Sequence, residues 1–189
     1  MHTLSQITLD FIHRQRLLRP NDTVIVGLSG GPDSVALCLV LQELALSRKI
    51  PLHLVFAHLN HMLRGSESDE EEEFCRQFAK ELSLPIEVKR LGVRQQASRM
   101  SQSIEQAARN ARYDFLADVA RRRKSERIAT AHHGDDVAET VLMRLIRGCG
   151  LHGLGAFESD RPISDSDPQL RLVRPFLNCS REDILDFLA

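Results

Sequence analysis

The sequence predicts an α/β fold, a parallel sheet of about five strands with helices on both faces. Two observations carry this. Strand-like apolar runs recur about every 30 residues, at Thr23–Leu28, Leu52–Asn60, Ile86–Leu91, Arg127–Ala131 and Leu170–Phe176. Segments of helical periodicity fill most of the gaps between them, the alternation that builds parallel sheets. A third observation places the function. The first strand breaks into Ser29-Gly30-Gly31 and then opens a helix, and in such sheets ligands sit at the carboxyl ends of the strands.

The N-terminal stretch MHTLSQITLDFIHRQRLLRP reads as an amphipathic helix, without the apolar core of a signal peptide. Asp33–Ser47 is a helix carrying Val35, Leu37, Leu39, Val40, Leu41 and Leu44. Glu67–Leu82 opens with acids that suit a helix N-terminus and should bury Phe74, Phe78 and Leu82. Ile104–Ala120 lines up Ile104, Ala108, Ala111, Phe115 and Val119, and Asp135–Arg147 lines up Ala138, Val141, Leu142 and Leu145. Glu158–Gln169, polar and proline-containing, reads as a mobile loop. Ser180 followed by Asp183 reads as a helix N-cap with an acid at its third position.

With 189 residues, 42% hydrophobic and 27% charged, the chain suits one globular domain spanning 1–189. No apolar run approaches the roughly 18 residues a membrane span requires, so a cytoplasmic protein without a membrane partner is expected. Cys38, Cys75, Cys149 and Cys179 are widely spaced and form no Cys-x-x-Cys pair, which argues for reduced, buried thiols rather than a zinc ribbon or a redox dithiol. The net charge is −1, unevenly spread. Between Lys89 and Arg127 eleven basic residues face four acids, a candidate polyanion face in which Arg121, Arg122 and Arg123 form the densest run.

The loop SGGPDS, Ser29–Ser34, has the features of a phosphate cradle. Gly30 and Gly31 let backbone approach an anion, Ser29 and Ser34 offer hydroxyls, and Pro32 fits the first helical turn, whose N–H groups point at the ligand. The lysine of a Walker loop is missing, which argues against γ-phosphoryl transfer. A loop that holds only pyrophosphate suits attack at the α-phosphorus of ATP, with Asp33 as a ligand for the Mg²⁺ such a leaving group needs. A second element, AHHGDDVAET, delivers His132, Asp136 and Glu139 at i, i+4, i+7, one stripe if the helix reaches that far back. A metal hydrolase centre and a plain acidic helix cap are the other readings of that pattern. In SIEQAARNARYDFL, Glu105, Arg109 and Arg112 share a face, either as an ordinary helix ion pair or as a phosphate-holding pair of arginines.

SGGPDS resembles the pyrophosphate loop of the N-type ATP pyrophosphatases, the PP-loop group. With HLNHMLRGSES, SIEQAARNARYDFL, AHHGDDVAETVLMRLIRG and RLVRPFLNCSREDI, nearly the whole chain from Thr23 is similar to the catalytic domain of the tRNA(Ile)-lysidine synthetase family. That resemblance implies an adenine nucleotide alpha hydrolase-like fold and two cofactors, ATP and Mg²⁺. It implies a ligase that adenylates the wobble cytidine of tRNA(Ile) with a CAU anticodon, then lets free L-lysine displace AMP. Ser29, Gly30, Gly31, Pro32, Asp33 and Ser34 are then expected to hold phosphates and metal, and the backbone at Ala57 and His58 to hold adenine. His132, Asp136 and Glu139 are expected at the reaction centre, with Arg109, Arg112 and Arg174 on phosphate or adenylate charge. The family continues into tRNA-binding domains beyond this length, and a homodimer belongs to the partner set as one option. Two competitors remain: a PP-loop tRNA thiolase of the 2-thiocytidine type, and a non-catalytic nucleotide- or RNA-binding module.

Overall fold

Residues alternate faces along the first strand, β1 (Thr23–Gly27): Val24 and Val26 point to one side of the sheet and Ile25 to the other. Both sides are buried, as a parallel sheet with helices on each face requires. The computed structural model describes residues 2–146 and 158–189. Its further elements are α1 (Thr3–Gln15), α2 (Pro32–Leu46), β2 (His53–Asn60), α3 (Ser66–Glu81), β3 (Ile86–Arg90), α4 (Val93–Arg99), α5 (Ile104–Arg122), β4 (Arg127–Ala129), α6 (Gly134–Ile146), β5 (Asp160–Ser164), β6 (Asp167–Val173) and α7 (Arg181–Leu188). None of the described helices is long and apolar enough to cross a membrane.

The sheet has six strands among the described residues, in the order β3-β2-β1-β4-β6-β5. All neighbours are parallel except β5, which pairs antiparallel with β6. The chain winds outward from β1 through β2 to β3, then returns to the other side of β1 as β4. The order therefore reverses between β1 and β4, and a crevice opens there at the carboxyl edge. The loop Leu28–Gly31 leaves β1 at this point and the loop Thr130–His133 leaves β4.

Packing separates the two faces. Leu54 and Phe56 of β2 join Val24 and Val26 under α1, α2, α3 and α7, whereas Val55, Ala57 and Leu59 join Ile25 under α4 and α5. Helix α2 is apolar nearly all round because α1 and α7 cover the side the sheet does not; Leu37, Leu41 and Leu44 are fully buried. The cap of α7 forms as its sequence requires: Ser180 Oγ accepts from Asp183 N, and Asp183 Oδ2 accepts from Ser180 N at 2.8 Å. The thiols of Cys38, Cys75 and Cys179 are free and buried; burial pushes Cys75 up to about 12 and Cys179 to about 11. Cys149 lies outside the described residues.

Three expectations are corrected, and one helix is new. Glu158–Gln169 is not a mobile loop. Most of it forms β5 and the start of β6, with Pro162 on an edge strand where a missing N–H is harmless, and Arg171 Nε donates to Asp160 Oδ1 at 2.8 Å. Residues 93–99, left unassigned by periodicity, form α4. Helix α3 turns another face inward. Ser68, Glu72, Cys75 and Ala79 are buried, while Phe74 is 46% exposed and stacks on Phe78, which in turn stacks on Phe56. Ile104 of α5 and Leu142 of α6 are exposed, so those stripes are only partly core.

Glu72 explains the rotation of α3. Its carboxylate accepts from Arg90 Nε at 2.7 Å, Arg76 Nη2 at 2.9 Å and Asn60 Nδ2 at 3.1 Å. Burial opposes ionisation, but these donors outweigh it and hold the carboxyl at about 2, below its ordinary 4.5. A depressed carboxylate contributes stability that is present above about pH 4.5 and lost as pH falls towards 2. Its ceiling is about 3 kcal/mol, from the size of the shift. Urea unfolding of the parent and Glu72→Gln should accordingly differ most at pH 7, draw closer below about pH 4.5 and converge only towards pH 2.

Candidate functional site

The crevice is a cavity of about 500 Å³. Its lining comes from the β1–α2 loop (Leu28, Ser29, Gly31, Asp33, Ser34), the end of β2 (Ala57, His58, Leu59, His61), α5 (Arg112, Phe115, Leu116) and the β4–α6 segment (Thr130, Ala131, His132, Asp136).

The phosphate loop is held open by its own hydroxyls. Ser34 Oγ accepts from Ser29 N at 3.1 Å and lies 3.0 Å from Ser29 Oγ, and it donates to Gly31 O at 2.9 Å. Gly30 has φ +89°, a conformation that only glycine adopts without strain, and its open side faces Cys75 and Phe74 of α3. Gly31 is the N-cap of α2 and Pro32 its first residue, as the sequence indicates.

Along β2, pairing with β1 ends at Gly27 and Ala57, and Leu28 N donates to Ala57 O at 2.9 Å. The carbonyl of Ala57 is thus already engaged, and beyond it β2 borders the cavity on the side that β1 has left, while β3 pairs along its other side. His58 is buried, with Nδ1 2.9 Å from Leu28 O and 3.3 Å from Cys75 Sγ. The nitrogen facing the carbonyl donates to it, and Nε2 is buried with no protein partner.

On the β4 side, α6 begins at Gly134, so His132 precedes the helix and the anticipated single stripe does not form. His132 and Asp136 both line the cavity; Glu139 is exposed and lies outside it. Thr130 Oγ1 is 3.0 Å from His132 Nδ1. Burial lowers His132 to about 4, and Arg174 adds to the effect. The imidazole is neutral at physiological pH. A histidine depressed from 6.5 to about 4 refuses in the fold a proton that the unfolded chain accepts, so its contribution to stability shrinks as pH falls through that window. Titration of its C2 proton by NMR should give a midpoint near 4, well below the ordinary 6.5 of histidine.

His133, which sequence reasoning passed over for its neighbour, joins the two walls. It is buried, with Nε2 3.8 Å from Asp33 Oδ2 and 3.7 Å from Asp136 Oδ2, and Nδ1 3.4 Å from Asp135 Oδ2. Asp136 Oδ2 also accepts from His133 N at 2.9 Å. The only hint in the sequence was the paired histidine itself. His61, the second omission, has its pKa lowered by burial and by Arg112, and it lines both this cavity and a neighbouring one.

Asp33 Oδ1 is buried with no protein partner. An orphan carboxylate oxygen beside a phosphate loop, with Asp136 across His133, suits a cation that takes one or two carboxylates and completes its shell with phosphate oxygens and water, the habit of Mg²⁺. Among the described residues no trio of His, Cys, Asp or Glu could hold a metal ion unaided, so a hydrolase-type centre is not supported there.

The remaining predicted residues split. Arg112 lines the main cavity, and Arg109 lines the side cavity of about 190 Å³ with Glu105, Ala108, Arg112 and His61. No Glu105–Arg109 ion pair forms among the described residues. Arg174 is buried beyond β6 and donates to the carbonyl of Glu158; burial lowers its pKa from the ordinary value, the Tyr113 hydroxyl opposes that, and Arg161 and Arg109 add repulsion. Arg121, Arg122 and Arg123 are not a free basic face. They pair with Asp118 and Asp167 (Arg121) and with Glu87 (Arg122 and Arg123), at the far end of α5 from Arg109 and Arg112.

A family model described as the PP-loop domain matches residues 2–189. Among curated relatives, a tRNA(Ile)-lysidine synthase of Geobacter sulfurreducens is 44% identical over 172 residues, 91% of this chain and 35% of that protein. One of Bacillus cereus is 37% identical over 94% of this chain and 36% of its own length, and one of Chlorobaculum tepidum is 38% identical over 95% and 51%. The chain thus spans between about a third and a half of the relatives it matches. Among solved structures, the U34-tRNA thiolase NcsA from Methanococcus maripaludis superposes with a TM-score of 0.72 at 19% identity, covering 97% of this chain and 62% of that one. NAD+ synthetase from Burkholderia pseudomallei follows at 0.52 and 14%, covering 98% and 70%.

Proposed function

Because the chain belongs to the PP-loop domain family, we propose that it is the nucleotide-activating part of a tRNA(Ile)-lysidine-forming ligase. The observation that carries this reading is the joining of two walls at the β1–β4 crevice. A pyrophosphate-sized loop on one side meets His132, His133 and Asp136 on the other within one cavity. The similarity of the lysidine synthases over more than nine-tenths of the chain supports the choice of reaction.

In this reading the N–H groups at the start of α2 and the hydroxyls of Ser29 and Ser34 grip the β- and γ-phosphates of ATP. Adenine lies against the free border of β2 beside His58. The O2 of cytidine attacks the α-phosphorus and pyrophosphate leaves into the loop. The amine of lysine then attacks C2, AMP leaves, and the proton released from the amine passes to a carboxylate of the β4 wall, with Asp136 placed for it. Mg²⁺, held by Asp33 with phosphate oxygens and water, would neutralise charge on the departing pyrophosphate. His132 stays neutral and offers hydrogen bonds without adding charge, while Arg112 and Arg174 balance the adenylate. A cytoplasmic setting follows from the substrate.

The test is incubation of the full-length protein with a CAU-anticodon tRNA(Ile) transcript, ATP and isotope-labelled lysine, followed by mass spectrometry of the nucleosides. A cytidine carrying one labelled lysine is expected, with AMP and pyrophosphate in equal amounts. Folded protein that gives neither ATP–pyrophosphate exchange nor labelled nucleoside would overturn the reading.

A further inference from the structure

Tyr113 of α5 sits inside a basket of cations. The guanidinium carbons of Arg109, Arg112 and Arg161 lie 5.2, 5.7 and 5.6 Å from its ring centroid, and Arg174 is beside its hydroxyl. Arg161 comes from β5, far along the chain. Among the described residues no carboxylate comes within ion-pair distance of Arg109, Arg112 or Arg161, although most arginines at the other end of α5 and on β6 have one. Like charges gathered around one ring repel one another, and the π faces offset only part of that. An arrangement of this kind is completed by an anion.

We propose that this basket is a seat for the phosphodiester backbone of a single RNA strand, with Tyr113 and Arg161 as positioning residues that hold the strand beside the nucleotide cavity. The inference rests on the reading of the chain as an RNA-modifying enzyme. Three features favour RNA. The β- and γ-phosphates of ATP have their own cradle on the β1 wall and the adenylate draws on Arg112 and Arg174, so Arg109 and Arg161 are left for a different anion. The guanidinium fork matches a phosphate's oxygens, and planar guanidinium and phenol groups stack on unpaired bases. The side cavity shares His61 and Arg112 with the main one, so a strand anchored here could place a base in the crevice. The ring works by gathering the arginines around it; its hydroxyl is secondary.

The test is anisotropy of a labelled ten-nucleotide single-stranded RNA over a salt series, with ATP binding measured by calorimetry on the same samples. Arg161→Gln should weaken RNA binding about tenfold at low salt and reduce the slope of log affinity against log salt by about 0.7, the share of one phosphate contact on a single strand. Tyr113→Leu should also lose affinity and Tyr113→Phe should keep it. Arg122→Gln, whose parent side chain is tied to Glu87, should leave RNA binding unchanged. Unchanged RNA affinity and slope in Arg161→Gln would overturn the proposal. So would displacement of RNA by low-millimolar inorganic phosphate, which marks a free-anion site, or absence of RNA binding by a parent that still binds ATP. Loss of ATP binding by the parent strikes instead at the reading of the phosphate loop.

Discussion

Asp33→Asn is expected to fold and bind the adenosine part of ATP as the parent does, yet to form the adenylate at least about 100-fold more slowly, the scale for losing a group aimed at developing charge. The side chain is well suited to isolating that effect. Its Oδ1 has no protein partner, and its Oδ2 meets His133 only at 3.8 Å, so the amide removes charge without breaking a hydrogen bond on which the fold depends. ATP–pyrophosphate exchange over a magnesium titration measures it. The deficit should persist at saturating magnesium if Asp33 acts on the leaving pyrophosphate. A folded variant exchanging at the parent's rate would exclude the role.

The two glycines of the loop should fail in opposite ways. Gly30→Val places a β-branched residue at φ +89° and is expected to lose about 1–3 kcal/mol of stability together with nucleotide binding. The strain comes from the backbone; a Cβ at Gly30 meets Cys75 Sγ at an ordinary 3.6 Å. Gly31→Ala has an unstrained φ of −77° and meets only Ser29 Oγ at 3.6 Å, so its melting temperature should stay within a degree or two of the parent's. Its added methyl nonetheless stands where phosphate must approach, and ATP affinity should drop by about tenfold or more, about 1.4 kcal/mol or above. Thermal melts paired with calorimetry separate the two. Equal destabilisation by both would mean that the loop's shape, not its openness, is what glycine supplies.

The parts of the structure that could be read from sequence are those where a single local rule decides. Val24, Ile25 and Val26 are buried on both faces and can only be a central strand, and a loop of Ser-Gly-Gly-Pro can hardly continue one. The parts that could not be read depend on long-range partners. Pro162 and its polar neighbours look like a loop until β6 offers them an edge to pair with. Glu72 looks like one more acid on a solvated helix until Arg90, eighteen residues on, draws it inward and turns Phe74 out. His132 and His133 are chemically identical neighbours, and only the start of α6 at Gly134 decides that the second lies between Asp33 and Asp136. Arg161 was invisible as a site residue for the same reason as its strand. Residues 147–157, which include the end of the AHHGDDVAETVLMRLIRG segment, fall outside the described residues.

The strand order also sets a schedule. During synthesis, β1, the phosphate loop, β2 and β3 emerge first and pair among themselves, and β4 can join β1 soon after. The hairpin of β5 and β6 is made of local contacts and can close on its own before it docks along β4. Arg161 and Arg174 therefore reach the ring of Tyr113 late in chain order, from this hairpin and the residue just after it. The pairing of β4 with β6 is what joins this late hairpin to the sheet that carries the glycine loop.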